Sequence, residues 1–203
     1  MDITERVQYV LRIEVKSIEK VISSLDNNIE KAINLIYKCK GKLVITGLGK
    51  SGHIGKKLAA TFSSTGTPSF FVHAAEALHG DLGMITKDDM VLAISNSGET
   101  KELLEMIPSL RIIGVKIISI TGNRESSLAK ASDVHIEIKI EREADHLNLA
   151  PTSSSTATLA VGDAMAVILS EMKGFKEEDF AVFHPGGSLG KKLLGKMKVE
   201  KNG

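Results

Sequence analysis

The hydrophobic pattern of this chain changes its period along the sequence. From Ile3 to Leu25, apolar residues (Val7, Val10, Leu11, Val15, Ile18, Val21 and Ile22 among them) recur at spacings of three and four, which predicts an amphipathic helix over 3–24. A second helix, over about 27–39, follows the Asp26-Asn27-Asn28 turn, with Ile29, Ala32, Ile33 and Ile36 on its apolar side. The pattern then shortens to β-rich runs: KLVIT (42–46), SFFV (69–72), MVLAIS (90–95), KIISIT (116–121) and VHIEI (134–138). Stretches of helical length separate most of them. Strands alternating with helices imply βαβ units and a parallel sheet covered on both faces. The expected fold class is therefore α/β: a five-stranded parallel sheet in a three-layer αβα sandwich, flavodoxin- or Rossmann-like, with helices on both faces. The last third differs. TSSSTATLAVGDAMAVILSEM (152–172) reads as one long helix with a polar start, too apolar to face solvent, so it should lie buried between layers or at a subunit contact. Gly174 is placed to stop it.

Composition changes this picture little. At 203 residues the chain holds one core, and 42% hydrophobic with 25% charged residues is ordinary for a globular protein. The formal net charge of +1 gives no electrostatic basis for nucleic acid or an anionic membrane as partner. The one dense basic run, Lys191 to Lys201, reads as a solvated tail. A single cysteine, Cys39, excludes an intramolecular disulfide and suits a reducing compartment. No apolar run reaches membrane-span length, and the N-terminus lacks a leader-like apolar region. The expectation is a cytoplasmic protein.

Ligands of open parallel sheets gather at the carboxyl ends of the strands, so the loops there carry the chemistry. Gly47-Leu48-Gly49-Lys50-Ser51-Gly52 follows the first strand, Asn96-Ser97-Gly98-Glu99-Thr100 the third, and Gly122-Asn123-Arg124-Glu125-Ser126-Ser127 the fourth. Small residues admit backbone N–H groups to an anion, hydroxyls donate further bonds, and a helix start adds its dipole. The polar start Thr152–Thr156 is a fourth candidate. Singly these are turns and caps; together on one sheet edge they point to a phosphorylated ligand. Gly47, Gly49 and Gly52 also satisfy a dinucleotide fingerprint, but the second strand runs into His73 and two alanines, with Glu76 too late to hold a ribose. A P-loop would need glycine where Val44 stands.

Candidate acids and bases near these loops are Lys50, Glu99, Glu102, Glu143 and His184, with His73 and His79 close together in sequence. Each has a plain structural explanation. Glu99 can complement a helix dipole, Glu102 can face solvent, Glu141 and Glu143 sit in the charged stretch EIKIEREADH, and His184 stands beside a Pro-Gly turn where a structural hydrogen bond is usual. Spacing alone does not rank them.

Taken as a set, GLGKSGHIGKKLAATFSSTGTPSFFVHAAEALHGDLGMI (47–85), SNSGETKE (95–102), TGNRESSLAKASDVHI (121–136), EADHLNLAPTSSSTATLAVGDAMA (143–166) and GFKEEDFAVFHPGGSLGKKLL (174–194) resemble the arabinose-5-phosphate isomerase family, built on the sugar-isomerase (SIS) domain. The resemblance covers nearly everything after residue 40. It implies one SIS domain over 1–203 with its core at about 40–194, and aldose–ketose interconversion of D-ribulose 5-phosphate and D-arabinose 5-phosphate through an enediolate, supplying 3-deoxy-octulosonate for lipopolysaccharide or capsule. It places the catalytic set on Lys50, Glu102, Glu143 and His184. Substrate contacts fall on Gly49, Ser51, Gly66, Thr67, His79, Ser95, Ser97, Thr100 and Ser153. No cofactor is required, while an inhibitory zinc is implied at His73. The partner implied is a small sugar phosphate, within a homotetramer. In two places the sequence departs from the family. Asp145-His146 stands where Cys-Pro is common, and no pair of CBS regulatory modules is expected in this chain.

Two other functions fit the same loops. A 6-phospho-3-hexuloisomerase would share the first and second loops but not HGDLG or HPGGSLG, and a non-catalytic sugar-phosphate sensor could keep the phosphate loops while losing the acid–base residues.

Overall fold

The structure, a computed structural model, describes residues 2–187 and Gly190. The basic run from Lys191 to Lys201, and most of the stretch after HPGG, lie outside the described residues. The first two helices, α1 (Ile3–Ser24) and α2 (Asn27–Tyr37), each open on an aspartate that satisfies free amides: Asp2 accepts from the N–H groups of Thr4 and Glu5, and Asp26 from that of Asn28. The α/β body follows as β1 (Leu43–Gly47), α3 (Gly49–Ser64), β2 (Ser69–His73), α4 (Ala74–Ala77), a 3₁₀ turn (Asp81–Met84), β3 (Met90–Ile94), α5 (Lys101–Ile113), β4 (Lys116–Thr121), α6 (Ser127–Ala131), β5 (Val134–Glu137), α7 (Ser153–Met172) and α8 (Glu177–Phe183).

All five strands are parallel, in the order β2-β1-β3-β4-β5. The three-layer α/β sandwich expected from the strand–helix alternation is the fold observed. Period-2 alternation fills both faces of the sheet: Leu43, Ile45, Leu92, Ile118 and Ile120 pack toward α2, α3 and α7, while Val44, Val91 and Ile117 pack toward α4, α5 and α6. Strands β1 and β3 are buried throughout, which is why their sequences are continuously apolar.

Helix α7 spans the height of the sheet. It buries Ala157, Val161, Met165, Ala166 and Leu169 against the core, and Gly162 lets α3 approach so closely that a Cβ there would meet Leu58 Cδ1 at 2.5 Å. Helix α1 lies against α7, and Glu14 accepts from Thr156 Oγ1 at 3.0 Å. The apolar side of α1 is only partly covered: Val7, Leu11, Val15 and Ile22 are each more than half exposed, and so is Val167 of α7.

The ends of α7 mark the two edges of the sheet. Its first turn lies at the carboxyl ends of the strands, beside Ile94 and Asn96. Just past its last turn, Lys173 Nζ donates to Gly66 O at 3.3 Å and to Thr67 Oγ1 at 2.9 Å, immediately before β2 begins. Twenty helical residues span roughly 30 Å, so the edges are that far apart. Among the described residues, no helix is long and apolar enough to cross a membrane.

Candidate active site

Strand order reverses direction between β1 and β3, and in a parallel sheet the crevice outside that switch point is where ligands bind. A small cleft opens there, lined by Lys50 and Ser51 of α3, Asn96 after β3, and Pro151, Ser154 and Ser155 at the start of α7.

The first wall comes from β1 turning into α3. Gly49 has φ +56°, a conformation glycine adopts without strain, and this places the next residue, Lys50, in the first turn of the helix. The helix has no side-chain cap and no acid in that turn. A cation at a helix start opposes the helix dipole, an arrangement that an anionic ligand would relieve. Gly52 and Gly55 serve packing instead: Cβ atoms there would stand 3.1 Å from Gly47 O and 2.9 Å from the Phe71 ring.

The second wall is the β3 loop. Ser95 is buried; its hydroxyl is 2.8 Å from Thr100 Oγ1 and 3.5 Å from Ser97 Oγ, and it accepts from Gly98 N–H at 3.0 Å. Gly98 has φ +68° and lies against Ser126, where a Cβ would clash with the hydroxyl. Glu99 caps a neighbouring helix. Its carboxylate accepts from Ser127 N–H at 2.8 Å at the start of α6, and that bond holds its pKa below the usual carboxylate range. Backbone bonds from Leu128 N–H to Gly98 O and from Gly122 N–H to Asn96 O complete the tie between the β3 and β4 loops. Thr100 starts α5 without a side-chain cap, and Glu102 sits half-buried in its first turn.

The third wall is the start of α7, organised by Glu143. This carboxylate is buried, with 8% exposure. Oε2 accepts from Thr152 N–H (2.8 Å), Thr152 Oγ1 (3.0 Å) and Ser154 N–H (3.2 Å), while Oε1 accepts from the Ser154 hydroxyl. The backbone is fixed as well, since Glu143 N–H donates to Asn148 Oδ1 and Ala144 N–H to Thr152 Oγ1. The sequence reading of an exposed charged stretch holds for Glu141, whose side chain is 75% exposed, but fails for Glu143, which complements the α7 dipole from inside. Asp145 holds the following loop by accepting from Leu149 and Ala150 N–H, and these bonds lower its pKa to about 2. Ser153 is fully buried with its hydroxyl unpartnered, so it does not line the cleft.

His73 ends β2 in register with Gly47, and its Nδ1 is buried without a partner. His79 is exposed just beyond α4. Among the described residues, no three His, Cys, Asp or Glu side chains gather as a group that could hold a metal.

Three expected site residues lie elsewhere. Gly66 and Thr67 are at the amino edge: Gly66 packs on Phe175, where a Cβ would be 2.6 Å from the ring, and Thr67 binds Lys173. They shape the descent into β2 and are remote from the cleft. His184 is there too. It follows α8, whose Phe183 lines a hollow with Lys42, Pro68 and Ser69 at the starts of β1 and β2. Its Nδ1 is 2.9 Å from Phe180 O, and its ring stacks on Phe180 at 3.8 Å. Within one chain, His184 and the cleft are separated by the length of α7. The cleft in turn includes residues not singled out from sequence, Asn96, Pro151, Ser154, Ser155 and Thr158. The polar stretches holding Asn96, Ser154 and Ser155 were visible, but nothing in them said which member faces inward.

The SIS domain family model matches residues 35–168, which take in all five strands, the three walls of the cleft and α7 as far as Ile168. The chain belongs to the SIS domain family. It is 52% identical over 200 residues to the arabinose 5-phosphate isomerase KdsD of Pseudomonas aeruginosa, covering 98% of this chain and 61% of that protein. It is 54% identical over 193 residues to the Escherichia coli K12 protein of the same name, covering 95% of this chain and 59% of that one. The chain thus spans about three-fifths of these relatives' length. The protein c3406 of Escherichia coli CFT073, solved in complex with arabinose 5-phosphate, superimposes with a TM-score of 0.88 at 50% identity, covering 91% of this chain and all of that one.

Proposed function

We propose that the chain interconverts D-ribulose 5-phosphate and D-arabinose 5-phosphate through an enediolate, as an aldose–ketose isomerase. The observation that carries this reading is the cleft itself. An uncapped helix start bearing Lys50 lines the cleft with Ser51, Asn96, Ser154 and Ser155, a seat for a dianion, on the edge that also carries the Ser95–Thr100 hydroxyl loop, Glu102 and Glu143. The complex of a relative at 50% identity with arabinose 5-phosphate points to which phosphate sits there. In this scheme Gly49, Ser51, Ser97 and Thr100 take the phosphate, Ser95 holds the loop, Lys50 stabilises charge on the sugar, and Glu102 moves the proton between C1 and C2. The product would feed 3-deoxy-octulosonate synthesis in the cytoplasm, and the lone thiol Cys39 fits that compartment.

His184 fits this scheme as a residue lent to another copy's cleft, where it would open the sugar ring. Its place at the amino edge and the uncovered apolar residues of α1 and α7 support a homotetramer. No cofactor enters the chemistry. The unpartnered Nδ1 of His73 is a good zinc donor, but no three possible ligands gather among the described residues, so we assign zinc an inhibitory role with its remaining ligands from outside them. The test is direct: incubate the purified chain with ribulose 5-phosphate and follow aldose phosphate by NMR. Glu102→Gln and His184→Ala should each lower kcat at least ~100-fold, the scale of a positioned acid or base. Tight sugar-phosphate binding with no turnover would favour the sensor reading, and wild-type-like turnover in both variants would remove the assigned roles.

A further inference from the structure

Glu143 poses a chemical problem. It is 8% exposed, and both oxygens are engaged by Thr152 and Ser154 at the start of α7. It is not among the residues that line the cleft, whereas Ser154 is. A carboxylate so enclosed cannot reach a carbon-bound proton, yet it accepts from the hydroxyl of a residue that lines the cleft. Ser154 therefore links the two, lining the cleft as a residue while its hydroxyl donates to the Glu143 carboxylate.

From this arrangement we infer that Ser154 is a catalytic proton relay, and that Ser154 with Glu143 carries the hydroxyl proton of the sugar while Glu102 carries the carbon-bound one. The inference rests on the isomerase reading above and assigns two separate protons to two separate carriers. From the ketose, Glu102 takes a proton from C1, the C1–C2 double bond forms, and the C2 carbonyl oxygen O2 becomes anionic. The O1–H bond then breaks toward Ser154 Oγ as the Ser154 proton passes to Glu143 Oε1. The electron pair left on O1 forms the C1 carbonyl, and the double-bond pair takes the proton held by Glu102 at C2. The proton on Glu143 returns through Ser154 to O2. C1 is oxidised, C2 is reduced, and both carboxylates and the hydroxyl end as they began, so no external oxidant or reductant is needed. A hydroxyl suits this work because an O–H proton moves readily along a hydrogen bond. A serine hydroxyl is too weak a base to take the C1 proton, and that step stays with Glu102.

The relay separates two measurable rates. In deuterated water, exchange at C1 of ribulose 5-phosphate reports Glu102, and appearance of aldose phosphate reports the whole sequence. Ser154→Ala should lower aldose formation at least ~100-fold while C1 exchange stays within about tenfold of wild type. Ser154→Thr, which keeps the hydroxyl, should recover most of the loss. Glu143→Gln gives the same split and stands in if Ser154→Ala does not fold, because the amide nitrogen can face Ser154 Oγ while its oxygen still receives the α7 amides. Aldose formation at the wild-type rate in Ser154→Ala would overturn the relay. So would a parallel fall of both rates that Ser154→Thr does not rescue, which marks a structural role. Failure of the wild-type chain to exchange or isomerise would instead remove the isomerase reading beneath it, and the two failures are read from different samples.

Discussion

Replacing Glu143 with alanine should destabilise the domain far more than a charge in the stretch EIKIEREADH would suggest. The carboxylate receives two backbone N–H groups and two hydroxyls at the start of α7. Loss of a cap of this kind costs about 1 kcal/mol. Loss of an anion at a partly buried helix start costs up to ~2 kcal/mol. The hydroxyls of Thr152 and Ser154 can turn to other acceptors, but the buried Ser154 N–H cannot, and an orphaned buried donor costs about 1–3 kcal/mol. Together these give about 3–5 kcal/mol, a large share of the ~5–15 kcal/mol that holds a domain together. For a domain of this size that is a fall in Tm of about 10 °C. The measurement is urea unfolding followed by circular dichroism at fixed protein concentration, since association of copies would add its own stability. Glu141→Ala is the internal control. That side chain is 75% exposed and pairs with Lys20 at 3.5 Å, so its removal should change stability by less than about 0.5 kcal/mol. If Glu143→Ala cost less than ~1 kcal/mol, the claim that this carboxylate anchors α7 would be wrong.

Gly162→Ala should cost about 1–3 kcal/mol through overpacking, because its Cβ would stand 2.5 Å from buried Leu58; an unchanged melting temperature would show the α3–α7 contact to be looser than described. Asp145 titrates near 2 against an ordinary 3.8, so its hold on the 145–150 loop is complete above pH 3.8 and is lost as pH falls through 2. Amide exchange at Leu149 and Ala150 should therefore stay slow at pH 4, and fast exchange there would contradict the bonds. Micromolar zinc should inhibit turnover and a chelator restore it, with His73→Ala insensitive; turnover that requires metal would refute the inhibitory role. Light scattering at micromolar concentration should give the mass of four chains, and a monomer would refute the assembly.

Strands and helices were legible because their signals are local. The runs at 42–46, 69–72, 90–95, 116–121 and 134–138 became β1 to β5 within a residue at each end, and the helix read at 152–172 is α7. Lys50, Ser51 and the Ser95–Thr100 loop were legible too, since a strand end followed by small polar residues puts them on one edge whatever the details. Glu143 was not. Its burial comes from a helix that begins ten residues later, and no period in EIKIEREADH records that. Glu99 was read as complementing its own helix and instead caps the next one. For His184 the plain explanation, a structural hydrogen bond near a turn, matches its contact with Phe180, and a motif gives no hint that it lies at the opposite edge from Lys50. Gly66 and Thr67 also lie at that edge, and motif order along a chain carries no information about which end of the sheet a residue occupies.

The straight run of α7 has one more consequence. Its first turn holds the groups that line this chain's own cleft, and its last turn leads through Lys173 and Phe175 into the segment that ends at His184. If His184 serves another copy, a single rod joins the catalytic centre a protomer uses to the one it helps to build. A slide of that rod by a fraction of a turn would disturb both at once. Occupancy at one centre would then be felt at its neighbour without any hinge or mobile lid, and the saturation curve would depart from a simple hyperbola.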